Sequence, residues 1–439
     1  MKKILAFIIL AAFTATAHAD NWPDGTPMDK WFSDTSKVDV STLGQQYVVT
    51  DYGVSNDSTI VQTQQLQAVI DKGASEGGGV VVIPRGTFLS GSLFFKPGTH
   101  LHIAEGGKLK GSDRIANFKI IKTRIEGETC DYFAALVNAD HVDGFTITGN
   151  GTIDGNGYNY WEEFWIRRKW NRKCTNKDAQ RPRLVYISNS SNVTVQDVRI
   201  MNSAFWTNHI YNSDHVRYLD CFIYAPTSGM KAPSSDAIDI DKCHDILING
   251  CYMNVNDDAV VLKGGKGIYA DSMSVNGPVE RVLVQNCHYG TVHSMLTLGS
   301  ESVHDWNVIV RNCRADDAYN VLWLKMRPDT PQHYEHVRIE NLTGHCRSFL
   351  LIKPWTQFFQ MGDRADMPKS ECNDIRFHGI RMECGTFFDV SGSEKYVLRR
   401  FEFSDVEVTD RAAKPAFTGH PIEGLQLRNV RINGADVSP

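Results

Sequence analysis

Three aspartates precede two short apolar runs, and their type and spacing could support acid–base chemistry. Asp236 stands before AIDID (237–241), while Asp257 and Asp258 stand before AVVLK (259–263). If these runs are neighbouring strands aligned by their apolar pattern, Asp236 and Asp258 share one row and Asp257 lies beside them. Such crowding raises the pKa of one carboxyl and leaves another ionised, which provides an acid and a base at the same pH.

Glycoside hydrolysis requires such a pair: a protonated carboxyl donates to the departing oxygen, and a carboxylate activates water or attacks directly. The same alignment, extended to the apolar runs that follow, puts His293 in the row of Asp257, where it could tune the proton affinity of that carboxyl. Lys263 and Lys325 fall in a third row. There they could hold a carboxylate of a substrate.

A structural role is the alternative for these carboxylates, because aspartates at polar corners often cap turns and a double Asp can bind calcium. We expect such a role for Asp239 and Asp241. For the trio of Asp236, Asp257 and Asp258 we expect catalysis, since three like charges in contact are costly in a purely structural ladder.

A ten-residue pattern recurs nine times from residue 193 onward, and it predicts the elements that hold these residues. Apolar residues occupy its first, third, sixth and usually eighth places, and Asn, Asp or Gly is common at the fourth and fifth. The copies begin at residues 193, 216, 246, 282, 308, 337, 375, 401 and 425. Each copy indicates two short strands broken by a polar corner, and the intervals of 23 to 38 residues indicate one coil each. The sequence therefore predicts an all-β, parallel β-helix, right-handed because parallel crossovers almost always are.

Four cysteines occupy the sixth place of successive copies of this pattern. Cys221, Cys251, Cys287 and Cys313 stand where other copies carry Val, Leu or Ile. We therefore predict a buried ladder of thiols that pack as small hydrophobic groups, in preference to a disulfide or a metal site. One bridge between adjacent coils remains geometrically possible.

The N-terminal stretch predicts a cap on the solenoid. Residues 60–74 have helical spacing and end before Gly77-Gly78-Gly79, after which residues 80–112 supply the first coils. A short capping helix at this position would cover backbone edges and apolar interior that the end coil would otherwise expose.

Residues 1–19 are predicted to be a cleavable signal peptide, because a basic start and an apolar run precede Ala17-His18-Ala19. We expect an exported protein, periplasmic or secreted, in which residues 20–439 form a single β-helix domain. No later segment approaches the roughly 20 apolar residues that a membrane-spanning helix requires.

The charge balance bears on partners and cofactors. A formal net charge of -5 argues against a nucleic-acid partner. An acidic substrate would need local positive charge instead. No CxxC pair suggests a metal, and we expect neither a metal nor another cofactor. A monomer is expected.

Three intervals are longer than one coil needs: 155–183, 264–281 and 354–374. The first is rich in aromatic and basic residues, which suits an anionic sugar chain if this segment forms the rim of a cleft. The alternative is a loop that packs its tryptophans on the flank of the solenoid, and both remain open. Because large insertions can close one end of a cleft, exo action is favoured slightly over endo action.

Three segments resemble glycoside hydrolase family 28, the family of polygalacturonases and rhamnogalacturonan hydrolases. They are RPRLVYISNSSNVTVQDVRIMNSAFWTNHI (181–210), SSDAIDID (234–241) and NDDAVVLKGG (256–265). The resemblance runs from DYGVSNDST (51–59) to the last repeat. It implies a right-handed β-helix that cleaves α-galacturonosidic bonds of pectin with inversion of the anomeric centre, and a pectic poly- or oligosaccharide as the partner.

Matched motif by motif, the resemblance implies roles for individual residues. Asp257 would be the general acid, while Asp236 and Asp258 would jointly activate the water. His293, in Val292-His293-Ser294 where the family has Gly-His-Gly, completes the expected catalytic set. The expected substrate-binding residues are Lys325, Trp323, Lys263 and His209.

One departure from the family bears on the substrate. The family's Arg-x-Lys is Trp323-Leu324-Lys325 in this chain. An indole can stack on a sugar face but cannot form the bidentate pair that a guanidinium forms with a carboxylate. A mixed backbone such as galacturonate alternating with rhamnose, or a terminal galacturonate, is therefore favoured over plain polygalacturonan.

Two other functions are compatible with the same residues. A calcium-dependent polysaccharide lyase would use the acidic cluster for the metal and Lys325 as the base. A non-catalytic carbohydrate-binding β-helix would bind the same sugars and release none.

Overall fold

The computed structural model describes residues 20–357, 362–412, 416–417 and 422–438. The predicted signal peptide, residues 1–19, lies outside these residues. Within them the α-helices are α1 Thr63–Ser75 and α2 Tyr158–Trp170, and the short 3-10 helices are Lys30–Ser33, Val40–Thr42, Val49–Tyr52, Ile115–Asn117 and Ala270–Ser272.

Thirty strands occur in the described residues. The first fifteen are β1 Gln46–Val48, β2 Gly79–Ile83, β3 Gly86–Ser90, β4 Leu93–Phe95, β5 Thr99–Ile103, β6 Gly107–Gly111, β7 Ile120–Ile125, β8 Glu128–Phe133, β9 Val137–Asp140, β10 Thr146–Thr148, β11 Thr152–Asp154, β12 Val185–Ser188, β13 Ser191–Gln196, β14 Arg199–Met201 and β15 Asn208–Tyr211. The others are β16 Asp214–Leu219, β17 Phe222–Tyr224, β18 Ile238–Asp241, β19 His244–Asn249, β20 Tyr252–Asn254, β21 Val260–Lys263, β22 Val279–Gln285, β23 His288–Leu298, β24 His304–Met326, β25 His333–Pro354, β26 Ser370–Val390, β27 Tyr396–Asp410, β28 Ile422–Glu423, β29 Gln426–Ile432 and β30 Ala435–Asp436.

The strands of each coil pair in parallel with the corresponding strands of the next coil. The fold is the predicted right-handed parallel β-helix. The face that carries the three aspartates is formed by β12, β15, β18, β21 and the last parts of β23 and β24, paired in that order. Alternate side chains of these strands point inward, and one inner row is made of residues that are all 0% exposed. This row is Ile210, Ile240, Leu262, Leu298, Leu324 and Ile352.

The polar corner of the repeat has a conformational cause. The fifth place of all nine copies has a positive φ, between 52° and 70°. These residues are Asp197, Asp220, Gly250, Asn286, Asn312, Asn341, Gly379, Asp405 and Asn429. Only Gly, Asn and Asp adopt the left-handed region at low cost, so the need for a bend in each coil dictates these residue types.

The predicted cap and thiol ladder are both present. Helix α1 begins at Thr63 and packs Leu66, Val69 and Ile70 against the first coil, while Ile60 is outside the helix. The sulfurs of the ladder are buried, with exposed fractions of 1 to 3%. Each ladder thiol lies near a backbone carbonyl of the core, as in the contact of 3.3 Å between Cys287 and the oxygen of Gln285.

Two elements outside the coils were not predicted. The interval 155–183 contains α2, a helix rather than an irregular loop. Strands β7 and β8 form an antiparallel hairpin whose two-residue turn, Glu126-Gly127, has positive φ at both positions. In the described residues no helix is long and apolar enough to cross a membrane.

Candidate active site

The strand register predicted from the apolar pattern is confirmed. Asp241 pairs with Lys263 between β18 and β21, and Val260 pairs with Leu296 between β21 and β23. Just before β18 and β21 begin, the backbone N–H of Ala237 donates to the carbonyl oxygen of Asp258 at 3.0 Å. The rows of Asp236, Asp257 and their neighbours therefore lie where the alignment placed them.

The three aspartates converge on one backbone amide. The N–H of Asp258 lies 3.2 Å from Oδ1 of Asp236 and 3.1 Å from Oδ1 of Asp257, and both carboxylates accept from it. Asp236 is 6% exposed and Asp258 is 1% exposed, whereas Asp257 is half-buried at the floor of a pocket. The trio is a single acidic patch that spans two coils.

Asp258 is held ionised by two cationic partners. Its Oδ2 accepts from Nζ of Lys325 at 2.7 Å, and its Oδ1 lies 3.2 Å from Nδ1 of His293. Burial by itself raises the pKa of Asp258, but the Lys325 ammonium and then His293 outweigh burial and hold that pKa below its usual range. Two occupied oxygens and a low pKa give a carboxylate fixed in the charged form.

The pKa values of Asp257 and Asp236 are raised, in contrast to that of Asp258. Loss of solvation raises the pKa of Asp257, and the adjacent charge of Asp258 adds to the effect. Burial also raises the pKa of Asp236 well above its usual range, with Asp257 as the next cause. Because each carboxylate destabilises the charge of the other, the pair holds a proton at a pH where Asp258 has none.

His293 acts on both adjacent aspartates. As expected, its charge lowers the pKa of Asp257, although burial and Asp258 outweigh that effect. Its ring contacts Asp258, and its backbone N–H donates to the carbonyl of Asp257 at 2.9 Å. Burial lowers the pKa of His293, yet the hydrogen bond with Asp258 outweighs burial and leaves that pKa above its usual value. The imidazolium and the carboxylate stabilise each other's charged form.

His209 was predicted to bind substrate, and that prediction is wrong. The residue is 0% exposed, between the rings of Tyr186 and Trp206. Its Nδ1 lies 2.6 Å from a guanidinium nitrogen of Arg183, and burial lowers its pKa to about 3. A neutral, enclosed imidazole cannot reach a sugar. It packs behind the pocket instead.

Asp239 and Asp241 are not the turn caps that we expected. Asp241 is fully buried and forms an ion pair with Nε of Arg124 at 3.0 Å. Asp239 is also fully buried, and neither of its oxygens accepts a hydrogen bond from the described residues. The nearest cation is Nζ of Lys263 at 3.6 Å, and burial raises the pKa of Asp239 to about 8. The sequence pattern of an alternating strand gave no signal for these buried charges.

The three other predicted substrate-binding residues lie around the trio. Lys263 and Lys325 line the pocket. Trp323 is half-buried beside it, with its ring centroid 5.2 Å from that of His293 and 5.4 Å from that of Trp355. The ammonium of Lys325 lies 4.3 Å from the Trp323 centroid. The position where the family has Arg is therefore part of an aromatic wall.

The pocket has a volume of about 320 Å³ and is closed by elements that the repeat does not contain. Helix α2 contributes Trp165 and Arg168, while its Tyr160 and Trp161 pack on the solenoid, so both roles left open for the interval 155–183 are present. The tip of the β7–β8 hairpin contributes Glu126. Lining residues that the sequence analysis missed include Glu126, Trp206, Glu301 and Trp355.

The hairpin is fixed over one end of the acidic face. Glu126 accepts from the side-chain amide of Asn176 at 2.7 Å, and Glu128 forms an ion pair with Lys266 at 3.2 Å. Arg124 anchors the hairpin to the solenoid through Asp241. The hairpin therefore covers the acidic face on the side where β18, β21 and β23 end, and the trio lies at the bottom of a pocket and not in an open groove.

A metal-binding role for Asp257, Asp258 and His293 is disfavoured by the contacts that they already make. Asp257, Asp258 and His293 offer ligand atoms within 4.8 Å of one another. Calcium prefers oxygen ligands, and both oxygens of Asp258 already face Lys325 and His293. The opposite pKa directions of adjacent carboxyls suit proton transfer better than they suit a cation site.

Comparison with known proteins gives a family match. Residues 82–345 match the model of glycosyl hydrolases family 28. A probable polygalacturonase of Vitis vinifera is 26% identical over 272 residues, which cover 60% of this chain and 53% of that protein. An endo-polygalacturonase of Pectobacterium parmentieri is 27% identical, with 58% of this chain and 62% of that protein covered. The chain thus spans a little over half the length of these curated relatives.

The fold has close counterparts among solved structures. The crystal structure of a hyperthermoactive exopolygalacturonase from Thermotoga maritima superposes with a TM-score of 0.68. Its sequence identity is 22%, and the superposition covers 89% of this chain and 92% of that one. At this identity the similarity shows a shared fold.

Proposed function

This chain belongs to glycosyl hydrolases family 28, and from that premise we propose that it cleaves α-galacturonosidic linkages in a pectic polysaccharide or a derived oligosaccharide. One observation carries the proposal: the pKa of Asp257 is raised while the pKa of the adjacent Asp258 is lowered, at the floor of one pocket. An acid and a base in contact with the same substrate are what glycosidic hydrolysis requires.

The reaction uses the trio in two roles. Asp257 in its protonated form donates to the glycosidic oxygen as the bond from that oxygen to the anomeric carbon breaks. Asp236 and Asp258 jointly activate the water: Asp258 provides a fixed negative charge beside it, and Asp236 accepts its proton as the water oxygen attacks the anomeric carbon. Asp236 can act as this base because it shares one proton with Asp257, so it is ionised when Asp257 holds that proton. Proton exchange with solvent then restores the starting state.

Inversion of the anomeric centre is the outcome we propose. The nearest oxygens of Asp257 and Asp258 lie within 4.8 Å, closer than the roughly 6.5–9.5 Å between carboxyl groups that is typical of inverting enzymes. However, Asp258 has both oxygens engaged by cations, which weakens it as a nucleophile. Proton NMR of the first product decides: inversion gives the β anomer from an α-linked substrate, and an initial α anomer would contradict it.

The substrate proposal follows from the aromatic wall. Trp323 stands where the family has Arg, so this position offers a carboxylate on the adjacent sugar no bidentate partner, and Lys325 is already paired to Asp258. We therefore favour a mixed galacturonate–rhamnose backbone or a terminal galacturonate over plain polygalacturonan. The hairpin that closes one end supports exo action.

The decisive experiment is a screen of polygalacturonan, rhamnogalacturonan and their oligomers for new reducing ends. Asp257→Asn should lower kcat by about 10²–10⁴-fold, the usual contribution of a general acid. Asp51→Asn, an exposed aspartate of the N-terminal region, is the matched control and should leave kcat unchanged. Equal activity of Asp257→Asn and the wild type would refute the assignment.

Two alternatives have distinct outcomes in the same screen. A lyase would form an unsaturated product that absorbs in the ultraviolet and would lose activity with a chelator. A non-catalytic binding protein would release no sugar from any pectic substrate. Release of saturated reducing ends by the wild type excludes both.

The proposal also covers export, domain organisation and oligomeric state. We propose that residues 1–19 direct export to the periplasm or beyond, that residues 20–439 act as one β-helix domain, and that the chain works as a monomer. Detection of a mature N-terminus at Asp20 and a monomeric mass in solution test these statements.

A further inference from the structure

The cations of the catalytic pocket are already engaged. Four basic residues line it, namely Arg168, Lys263, Lys266 and Lys325. Each contacts an oxygen of the protein: the carbonyl of Cys174, Glu301, Glu128 and Asp258 respectively, at 2.7 to 3.3 Å. A substrate carboxylate in this pocket has to compete with these partners. Three of the four cations form ion pairs with carboxylates, so unpaired positive charge outside the pocket can add to the recognition of an acidic polymer.

The outer face of helix α2 offers two exposed aromatic rings. Tyr158 and Trp165 are 53% and 39% exposed. They are seven residues apart, so they lie on one face of the helix, roughly 10.5 Å from each other along its axis. The indole N–H of Trp165 donates to the carbonyl of Lys231 at 2.7 Å, which fixes the ring while part of it remains in solvent.

These rings connect the catalytic pocket with two further grooves. Trp165 lines the catalytic pocket and also a shallow groove of about 510 Å³ that contains Lys231 and Tyr158. Tyr158 in turn lines a second groove, of about 420 Å³, that contains Lys108 and Lys110. The surface thus continues sideways from the acidic trio, across α2, to the earlier coils.

This lateral surface carries lysines that are not held in close ion pairs. The ammonium groups of Lys110 and Lys231 form no ion pair with any residue that the structure describes. Lys108 is only loosely paired, at 3.5 Å from Asp154. Exposed aromatic faces alternating with unpaired lysines are suited to a chain of sugars that carry carboxylates, because the rings stack on sugar faces and the lysines attract the anions.

We propose, on the basis of the function proposed above, that this surface binds the uncleaved part of an acidic pectic chain. The sugar at the trio enters the closed pocket, and the sugars that follow leave sideways over α2. They stack on Trp165 and Tyr158, and their carboxylates pair with Lys231 and Lys110. Carboxylate recognition is thereby displaced from the position of Trp323 to sugars farther along the chain.

The test compares substrates of different length. For galacturonate-containing oligosaccharides, kcat/KM of the wild type should rise with length beyond the shortest oligomer that is cleaved. The double variant Tyr158→Ala/Lys231→Gln should reduce the ratio of kcat/KM for long over short oligomers by roughly three- to tenfold. Lys395→Gln, an exposed lysine near the last coils, is the matched control and should preserve the ratio.

Failure of this proposal is distinguishable from failure of the proposed function. If the wild type cleaves short and long oligomers with equal kcat/KM, or if the double variant preserves the ratio, the lateral surface has no such role. If the wild type cleaves nothing, calorimetry with a long oligogalacturonate still tests the surface. Weaker binding by the double variant than by the Lys395→Gln control supports it, and equal binding overturns it.

Discussion

Asp257 and Asp258 are adjacent in sequence, yet their surroundings shift their pKa values in opposite directions. Asp258 faces Lys325 and His293, whereas Asp257 loses solvation beside a fixed negative charge. The difference arises from His293 on the next coil and Lys325 on the coil after it. It makes the pH dependence of the reaction the most direct test at the scale of single residues.

Replacing His293 should move the acidic limb of the pH profile. His293→Gln removes a cationic partner of Asp258, so the pKa of Asp258 should rise toward its ordinary value. His293 also lowers the pKa of Asp257, so its loss should let the Asp236–Asp257 pair take up a second proton at a higher pH. As the solution is acidified, kcat should therefore begin to fall at a higher pH than in the wild type. His288→Gln, on the same strand but facing Asp316, is the matched control. An unchanged acidic limb would show that His293 does not act on Asp258.

Asp239 should make stability depend on pH. Its pKa is about 8 in the folded protein, against an ordinary value of 3.8 for an aspartate in the unfolded chain, so between these values the folded state keeps a proton that the unfolded state has released. The stability contributed by this group is therefore lost as pH rises through that window. Asp239→Asn cannot ionise, and its melting temperature relative to the wild type should increase from pH 5 to pH 8. If the difference in melting temperature between Asp239→Asn and the wild type does not change with pH, the pKa of Asp239 is not raised in the folded protein.

Trp323 is the residue at which substrate preference can be tested. Trp323→Arg restores a guanidinium, which can pair with a carboxylate of the neighbouring sugar. The ratio of kcat/KM on polygalacturonan to that on rhamnogalacturonan should therefore increase. Trp323→Phe keeps a ring without a charge and should leave the ratio close to that of the wild type. If Arg and Phe give the same ratio, the aromatic wall does not determine the preference.

At the scale of elements, the β7–β8 hairpin and α2 convert one face of a regular solenoid into a pocket. Neither belongs to the repeat. The hairpin is held by the buried ion pair of Arg124 with Asp241, and α2 is held by its buried aromatic side. The coils supply the register of the catalytic residues, and the insertions determine what can reach them.

The ion pair that anchors the hairpin should be costly to break. Arg124→Met leaves Asp241 buried without its guanidinium partner, which should lower the free energy of unfolding by about 3–5 kcal/mol. Lys122→Met, on the same strand with a lysine side chain that is 71% exposed, should change it by no more than about 0.5 kcal/mol. Denaturant unfolding of both variants measures the difference, and equal values would mean that the pair does not anchor the hairpin.

At the scale of the whole molecule, the closed end of the acidic face predicts the mode of attack. An enzyme that admits only a chain end releases small products from the first moments of the reaction. We expect reducing ends to accumulate while the viscosity of the polymer hardly falls. Early appearance of long oligomers together with a rapid fall in viscosity would show that the chain enters the pocket from the middle.

Much of this molecule follows from its sequence alone. The nine-fold repeat determined the parallel β-helix and its register, because a slip of one residue would turn every apolar side chain outward. The same register brought Asp236, Asp257 and Asp258 together and set Lys325 near them. The Asn, Asp and Gly residues of the corners were determined by the left-handed backbone that each bend requires.

Only the tertiary structure decided which charges are paired and what the pocket admits. Arg124 and Asp241 are 117 residues apart, and no local sequence pattern predicts that the β7–β8 hairpin folds back onto a later coil. The same reason explains why His209, predicted to bind substrate, is enclosed beneath neighbouring side chains, and why Asp239 and Asp241 are buried charges and not turn caps. Periodicity fixes neighbours within the solenoid, whereas contacts between insertions and solenoid depend on packing in three dimensions.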